Sequence, residues 1–289
     1  MRVVSPGERI AGFAVEDVAG RGGWAVVYRA RDANGRRPVA LKVLNDSHRE
    51  PAHLERLRRE FDFACRAAHP NVVAMYSAGR GWLAMEFIDG RPVTCLAART
   101  DQLAALAQIA DALDHTHRLG IVHSDVKPAN LLVDKPFSRA VLIDFGVAHS
   151  LAEDVAARLA ADATGRLTLD PARRITHHTK APRPQVQASL PYSAPELVSG
   201  RALSAATDQY GLACTAVEVL TGLPPFTATT PVKMVDQQLN SPPPRISDRA
   251  DWIPHAVDSI FAKALAKDPE RRYESCAQFV RDLAEAFDK

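Results

Sequence analysis

The hydrophobic period of this chain changes once along its length, and that change constrains the fold more than any other feature. From about Arg9 to Glu86, short runs rich in β-branched residues alternate with glycine and Asp/Asn turns, at 13–18, 25–31, 39–44, 72–77 and 82–87. These predict five strands. Between the third and fourth, residues 50–68 are dense in Arg, Glu and Leu, and Leu54, Leu57, Phe61 and Ala64 recur at helical spacing until His69-Pro70 stops the pattern. One helix thus interrupts a small sheet. From Arg91 onward the period is mainly helical. Leu103, Leu106, Ala110, Leu113 and His117 form one stripe, with Thr100 as the expected N-cap and Gly120 as the stop. Further helices are expected over 205–221, 230–240, 256–266 and 275–286.

Composition excludes several function classes. With 46% apolar residues in 289, the chain has ample material for a core. Its 36 basic and 34 acidic side chains leave a formal charge of +2, too balanced for a dedicated nucleic-acid binder. Cys65, Cys95, Cys214 and Cys276 form no CxxC pair and no disulfide framework, which suits a reducing compartment. The most apolar stretch, 212–220, is cut by Glu218 and too short to span a bilayer, and residues 1–9 lack a secretory apolar core. The expectation is a soluble cytoplasmic protein with no membrane segment.

One stretch fits neither period. Residues 158–187 carry Arg166, Arg173, Arg174, His177, His178, Lys180 and Arg183 among Pro171, Pro182 and Pro184. They read as a loop whose length points to a regulatory or binding element, or to plain disorder.

Three segments can carry chemistry. Gly20-Arg21-Gly22-Gly23-Trp24-Ala25-Val26-Val27 lies between two expected strands, where glycine lets backbone N–H groups approach phosphate oxygens; an ordinary tight turn is the competing reading. Val39-Ala40-Leu41-Lys42 places a lysine on a buried-looking strand, where an ammonium needs an anionic partner unless it snorkels from an edge. Glu60 can be that partner, or a solvated member of the Arg58, Arg59, Glu60 charge run. The strongest signal is His123-Ser124-Asp125-Val126-Lys127-Pro128-Ala129-Asn130, followed by Asp144-Phe145-Gly146 after the apolar run 140–143. An acceptor, a cation and an amide share one short loop, and a carboxylate emerging from the next strand can ligate a hard cation such as magnesium.

In this order and spacing the motifs resemble those of the bacterial, eukaryotic-like serine/threonine protein kinases, from about Arg9 to Phe287. The resemblance implies an α+β, two-lobed kinase fold. Residues 1–86 would form an N-lobe with a small antiparallel sheet and one helix, and residues 87–289 a larger helical C-lobe. ATP would lie between them. Gly20, Gly22 and Ala25 match the glycine-rich loop, Val27 the valine above adenine and Leu132 the floor beneath it, with Ala40 a further nucleotide-binding position; Met85, Glu86 and Ile88 match the gatekeeper and hinge. Lys42 matches the lysine on the α/β-phosphates, with Glu60 as its partner. Asp125 would orient the hydroxyl and accept its proton, Lys127 would neutralise the γ-phosphoryl, and Asn130 with Asp144 would hold magnesium, manganese being an alternative. Glu196 and Arg272 match a structural ion pair, and Asp208 an aspartate that braces the catalytic loop. The implied partner is a protein substrate, with Lys127 favouring serine and threonine; self-phosphorylation and a homodimer are compatible with it.

The sequence departs from the family pattern in four places. Ser124 stands where most such kinases carry the arginine that meets a phosphorylated loop residue, so activity is expected to depend weakly on loop phosphorylation. Ala25 replaces a third glycine, and Ala188-Ser189 replaces Gly-Thr, with Ser189 as the expected stand-in for the threonine. The segment from Gly146 to Pro195 is long, and its basic part can recruit an acidic partner or be a surface insertion. Two rival functions remain at this point: a small-molecule phosphotransferase of the aminoglycoside- or choline-kinase type, and a nucleotide-binding pseudokinase scaffold.

Overall fold

The computed structural model describes residues 5–32, 34–150 and 189–288; the basic stretch 158–187 and Ala188 lie outside the described residues. A six-stranded antiparallel sheet comes first, built from β1 (Arg9–Ile10), β2 (Phe13–Arg21), β3 (Ala25–Arg31), β4 (Pro38–Leu44), β5 (Met75–Gly79) and β6 (Trp82–Glu86) in the order β1-β2-β3-β4-β6-β5. β4 lies between β3 and β6, so both of its edges are paired, and its side chains are buried in apolar clusters on both faces, which its nearly all apolar run suits. One face gathers Val15, Val26, Tyr28, Ala30, Val39, Leu41 and Ala84. The other carries Ala25, Ala40, Leu83 and Met85 against Leu57 of helix α1 (Pro51–Arg66). That helix buries His53, Leu57, Glu60, Phe63 and Ala64 on one stripe, so Glu60 is carried inward by the same periodicity as its apolar neighbours. Full burial of Leu57 contributes about 2 kcal/mol to this docking.

The helical part is organised around α2 (Arg99–Arg118) and α4 (Ala205–Thr221), with α3 (Pro195–Val198), α5 (Pro231–Asn240), α6 (Ala256–Ala264) and α7 (Cys276–Phe287) packed about them. α4 is buried on almost every face. Gly211 is required there, because a Cβ would stand 2.9 Å from the Val126 carbonyl oxygen. Three short antiparallel strands, β7 (Gly90–Pro92), β9 (Leu131–Asp134) and β10 (Ala140–Leu142), form a second sheet, and β8 (Ile121–Val122) pairs with β11 (His149–Ser150). The loop 123–130 therefore leaves β8 and enters β9, and Asp144 follows β10. Short rigid strands fix both loops.

Several expected boundaries move, two of them for a visible reason. Val72 and Val73 do not continue β5: Val73 N–H donates to the Leu142 carbonyl (3.0 Å) and Leu142 N–H to Asn71 (2.8 Å), so half of the expected strand joins β10 instead. Thr100 is not the cap of α2. The helix starts at Arg99, because Gln102 N–H reaches the Ala98 carbonyl while its side chain donates to Leu96, which pulls the first turn back. Among the described residues no helix is long and apolar enough to cross a membrane.

Candidate active site

Lys42 projects from the middle of β4, and its side chain is only 8% exposed. Its ammonium donates to both carboxylate oxygens of Glu60 at 2.6 and 2.8 Å and to Asp144 at 3.1 Å. This excludes the edge-strand reading of Lys42 and the solvated reading of Glu60, since their side chains are only 8% and 1% exposed. Burial works against the ammonium, but Asp144 and Glu60 together outweigh it and hold Lys42 above its ordinary value. Burial raises Glu60 to about 7 against the pull of Lys42, with Asp144 adding to the rise. Asp144, whose side chain is 38% exposed, is held well below the usual carboxylate range: burial is overcome by Lys42 and then by Arg56.

Across the cleft, Lys127 donates to Asp125 Oδ2 and to Ser189 Oγ, each at 2.7 Å. Ser189 thus supplies the bond to Lys127, one of the two contacts, to the aspartate and to the lysine, expected of the replaced threonine. Asn130 Nδ2 donates to the Asp125 carbonyl (2.8 Å) and carboxylate (3.0 Å), which leaves its amide oxygen as the remaining donor atom for a cation. Ile143 N–H donates to the Asn130 carbonyl at 2.9 Å, locking the Asp144 turn beside this loop. An amide oxygen and a strongly acidic carboxylate on adjoining turns are hard donors and fit a magnesium-sized ion. The structure thus brings Asp125, Lys127 and Asn130 together on one loop and joins Asp144 to Lys42 and Glu60.

The loop is braced from beneath. Asp208, 1% exposed on α4, accepts from Ser124 N–H (2.7 Å), His123 N–H (2.8 Å) and the His117 ring (2.8 Å). Ser124 and Asp144 both have φ of 67°, in the left-handed region that costs a side chain energy; the Asp208 bonds hold Ser124 there, and the Ile143–Asn130 backbone bond with the Gly146 N–H donated to the Asp144 carboxylate (3.2 Å) holds the Asp144 turn. His123 contacts the Ile143 carbonyl at 3.0 Å and meets the Phe145 ring edge-on. The Glu196–Arg272 pair is bidentate at 2.7 and 2.9 Å.

The residues expected around a nucleotide base gather on the same side. Ala25, Ala40, Met85, Val27 and Ile88 belong to one apolar cluster, and Leu132 pairs with its member Val141. Gly20 lies at the end of β2 opposite Val27, and Gly22 N–H closes the turn onto the Ala25 carbonyl (2.9 Å). Glu86 anchors its side chain on Arg139 and its N–H on the Ala74 carbonyl (2.8 Å).

Several contributors escaped sequence reasoning. Arg56 donates to the Gly146 carbonyl at 2.6 Å, and the Trp24 ring contacts the charged ends of both Arg56 and Lys42, at 4.6 and 4.8 Å from its centre. Arg56 precedes Glu60 by one helical turn, a spacing that could have drawn attention. In the sequence His117 reads only as a member of the apolar stripe of α2. Its tie to Asp208 joins elements far apart in sequence, and no local pattern signals it.

A small sheet crossed by one helix, facing a helical body across a cleft that collects a paired lysine, two aspartates and an asparagine, defines a two-lobed kinase. The family described as the protein kinase domain matches residues 13–282. Serine/threonine-protein kinase PknJ of Mycobacterium tuberculosis is 35% identical over 301 residues, covering 98% of this chain and 47% of that protein. PknF of the same organism is 34% identical over 296 residues, covering 97% and 57%. The solved kinase domain of Mycobacterium tuberculosis PknI superposes with a TM-score of 0.69 at 26% identity, covering 99% of this chain and 100% of that one. The chain spans about half the length of the curated relatives it matches. It belongs to the protein kinase domain family, alongside bacterial serine/threonine kinases.

Proposed function

We propose that this chain transfers the γ-phosphoryl group of ATP to serine or threonine hydroxyls of a protein, with its two lobes meeting between Glu86 and Phe87. The observation that carries the reading is the convergence of Asp125, Lys127 and Asn130 on one braced loop, with Asp144 tied beside it to the Lys42–Glu60 pair. The apolar cluster around Ala25, Val27, Ala40, Met85 and Ile88 offers a slot for adenine, with backbone groups of Glu86 and Ile88 at its edge and Leu132 below. Gly20 and Gly22 let backbone approach the phosphates. Lys42, oriented by Glu60, meets the α/β-phosphates. Asn130 and Asp144 would hold magnesium, or manganese in its place, which when bound neutralises charge on the phosphate oxygens.

Asp125 orients the substrate hydroxyl and takes its proton as the new oxygen–phosphorus bond forms and the bond to the ADP oxygen breaks. Lys127 sits 2.7 Å from Asp125 and offsets the negative charge that spreads over the transferred group. Ser189 fixes Lys127 from the far side. The substrate is a protein; self-phosphorylation and a cytoplasmic location belong to the same reading.

Purified protein incubated with ATP and magnesium should acquire or pass on phosphate at serine and threonine, mapped by mass spectrometry. Asp125→Ala should abolish transfer while sparing nucleotide binding measured by calorimetry. Transfer by that variant at the wild-type rate would end the assignment, and phosphorylation of small alcohols or amines in place of myelin basic protein would redirect it.

A further inference from the structure

The wall of the cleft next to Asp125 is a single turn of helix, Leu190–Tyr192, with Ser189 before it and Ser193 after it. Ser124, Asp125, Ser189, Tyr192 and Ser193 line one small cavity there. A hydroxyl that reaches Asp125 passes this wall, so the wall's position sets how an incoming polypeptide is presented. A lone 3-10 turn makes few bonds of its own and needs outside support.

The support comes from behind, through a buried polar chain. Gln238 on α5 is fully buried, and its amide nitrogen donates to the Leu190 carbonyl at 3.0 Å and the Pro191 carbonyl at 2.8 Å. Its amide oxygen accepts from the fully buried Tyr210 hydroxyl at 2.5 Å. Both N–H bonds and the oxygen are committed, so the amide has one orientation and cannot flip without losing three bonds. The ammonium of Lys267 in turn donates to the Tyr210 hydroxyl (3.3 Å) and the Gln237 carbonyl (3.2 Å) and lies 4.3 Å from the Phe226 ring centre. Leu190 packs on Phe226 and Met234, closing the same joint with apolar contacts. A buried amide that could be replaced by a leucine at little cost to packing is instead spent on two carbonyls of the turn that borders the reacting centre.

We infer that Gln238 is a positioning residue for the protein substrate, holding the 189–193 wall at the distance from Asp125 that an incoming polypeptide requires, with Tyr210 and Lys267 fixing its orientation. The inference rests on the protein kinase reading above. It places substrate registration on α4 and α5, outside the stretch 151–188. Ser124, where most such kinases carry arginine, fits a wall that is set from this side.

The test is steady-state kinetics with myelin basic protein and with an oriented serine/threonine peptide library. Gln238→Leu keeps the volume and loses the amide; Gln238→Glu keeps the acceptor for Tyr210 but cannot donate to the carbonyls. Both should raise KM for the protein substrate about tenfold, the effect of two lost hydrogen bonds, while kcat and KM for ATP stay within about twofold. Residue preference beside the phosphorylated position should also shift. Lys267→Met should raise the same KM by a smaller factor, and it serves if a Gln238 variant does not fold. The inference is overturned if substrate KM is unchanged, if Gln238→Glu behaves as wild type while Gln238→Leu does not, or if KM for ATP and for protein move together. A wild type that binds ATP yet phosphorylates no protein overturns the kinase reading and this inference with it, whereas a normal wild type with indifferent variants overturns only the inference.

Discussion

Arg272→Met should be among the most damaging single substitutions outside the cleft. Arg272 and Glu196 side chains are 0% and 1% exposed, and they join the first turn of α3 to the turn before α7. Removing the guanidinium strands a carboxylate with Thr207 as its remaining partner at 3.0 Å, and also frees the Ala206 and Ala266 carbonyls, which Arg272 bonds at 2.7 and 2.8 Å. Breaking a buried pair from one side costs about 3–5 kcal/mol. At about 2–4 °C per kcal/mol, that is a fall in Tm on the order of 10 °C. Urea unfolding of Arg272→Met, Glu196→Gln and the double variant would measure it as a cycle. The double variant should be less damaged than the sum of the singles by about 2 kcal/mol or more, because neutralising Glu196 removes the stranded charge. A coupling below about 0.5 kcal/mol would show that the pair is not what holds this joint.

Other outcomes follow from the same geometry. Asp208 is held below its ordinary carboxylate value because His117 and the N–H of His123 outweigh its burial, so its stabilisation is present above the unfolded value and lost as pH falls through the folded one. Thermal melts of wild type and Asp208→Asn should therefore differ most near neutrality and converge below about pH 4; a gap that widens in acid would contradict the assignment. Arg56→Met loses the bond to Gly146 and the contact with Trp24, and kcat should fall about tenfold, or ~1.4 kcal/mol, with Tm little changed. An unaltered kcat would leave Arg56 without a positioning role. Replacing Thr164, Thr168, Thr176 and Thr179 together by alanine should leave the transfer rate nearly unchanged, since Ser124 offers no guanidinium to a phosphate; a collapse in rate would refute that reasoning.

The motif residues were legible because each group is fixed by local chemistry. His123 to Asn130 lie within one loop, and a loop that short between two strands forces its acceptor, cation and amide into proximity. The helix over 50–68 and the strands flanking Lys42 were readable from period alone. The ends of elements were less so. Val72 and Val73 have the side chains of a strand, but their partner is Leu142, and the choice between β6 and β10 as a neighbour is made by packing. Thr100 has the chemistry of a cap and lost to Gln102, whose side chain bonds a carbonyl outside the helix.

Lys42 and Glu60 show where the boundary falls. Sequence supplied a lysine on an apolar strand and a glutamate on an apolar stripe, and left both open to solvent as an alternative. Only the placement of β4 inside the sheet and of α1 against it put the two charges in the interior, where each needs an oppositely charged partner. Sequence by itself determined the elements, the family pattern and the composition of the cleft, because short-range spacing and hydrophobic period act within a few residues. Tertiary structure alone decided the ties from His117 to Asp208, from Arg56 to Gly146 and from Gln238 to Leu190, since each joins groups whose meeting depends on how whole elements pack.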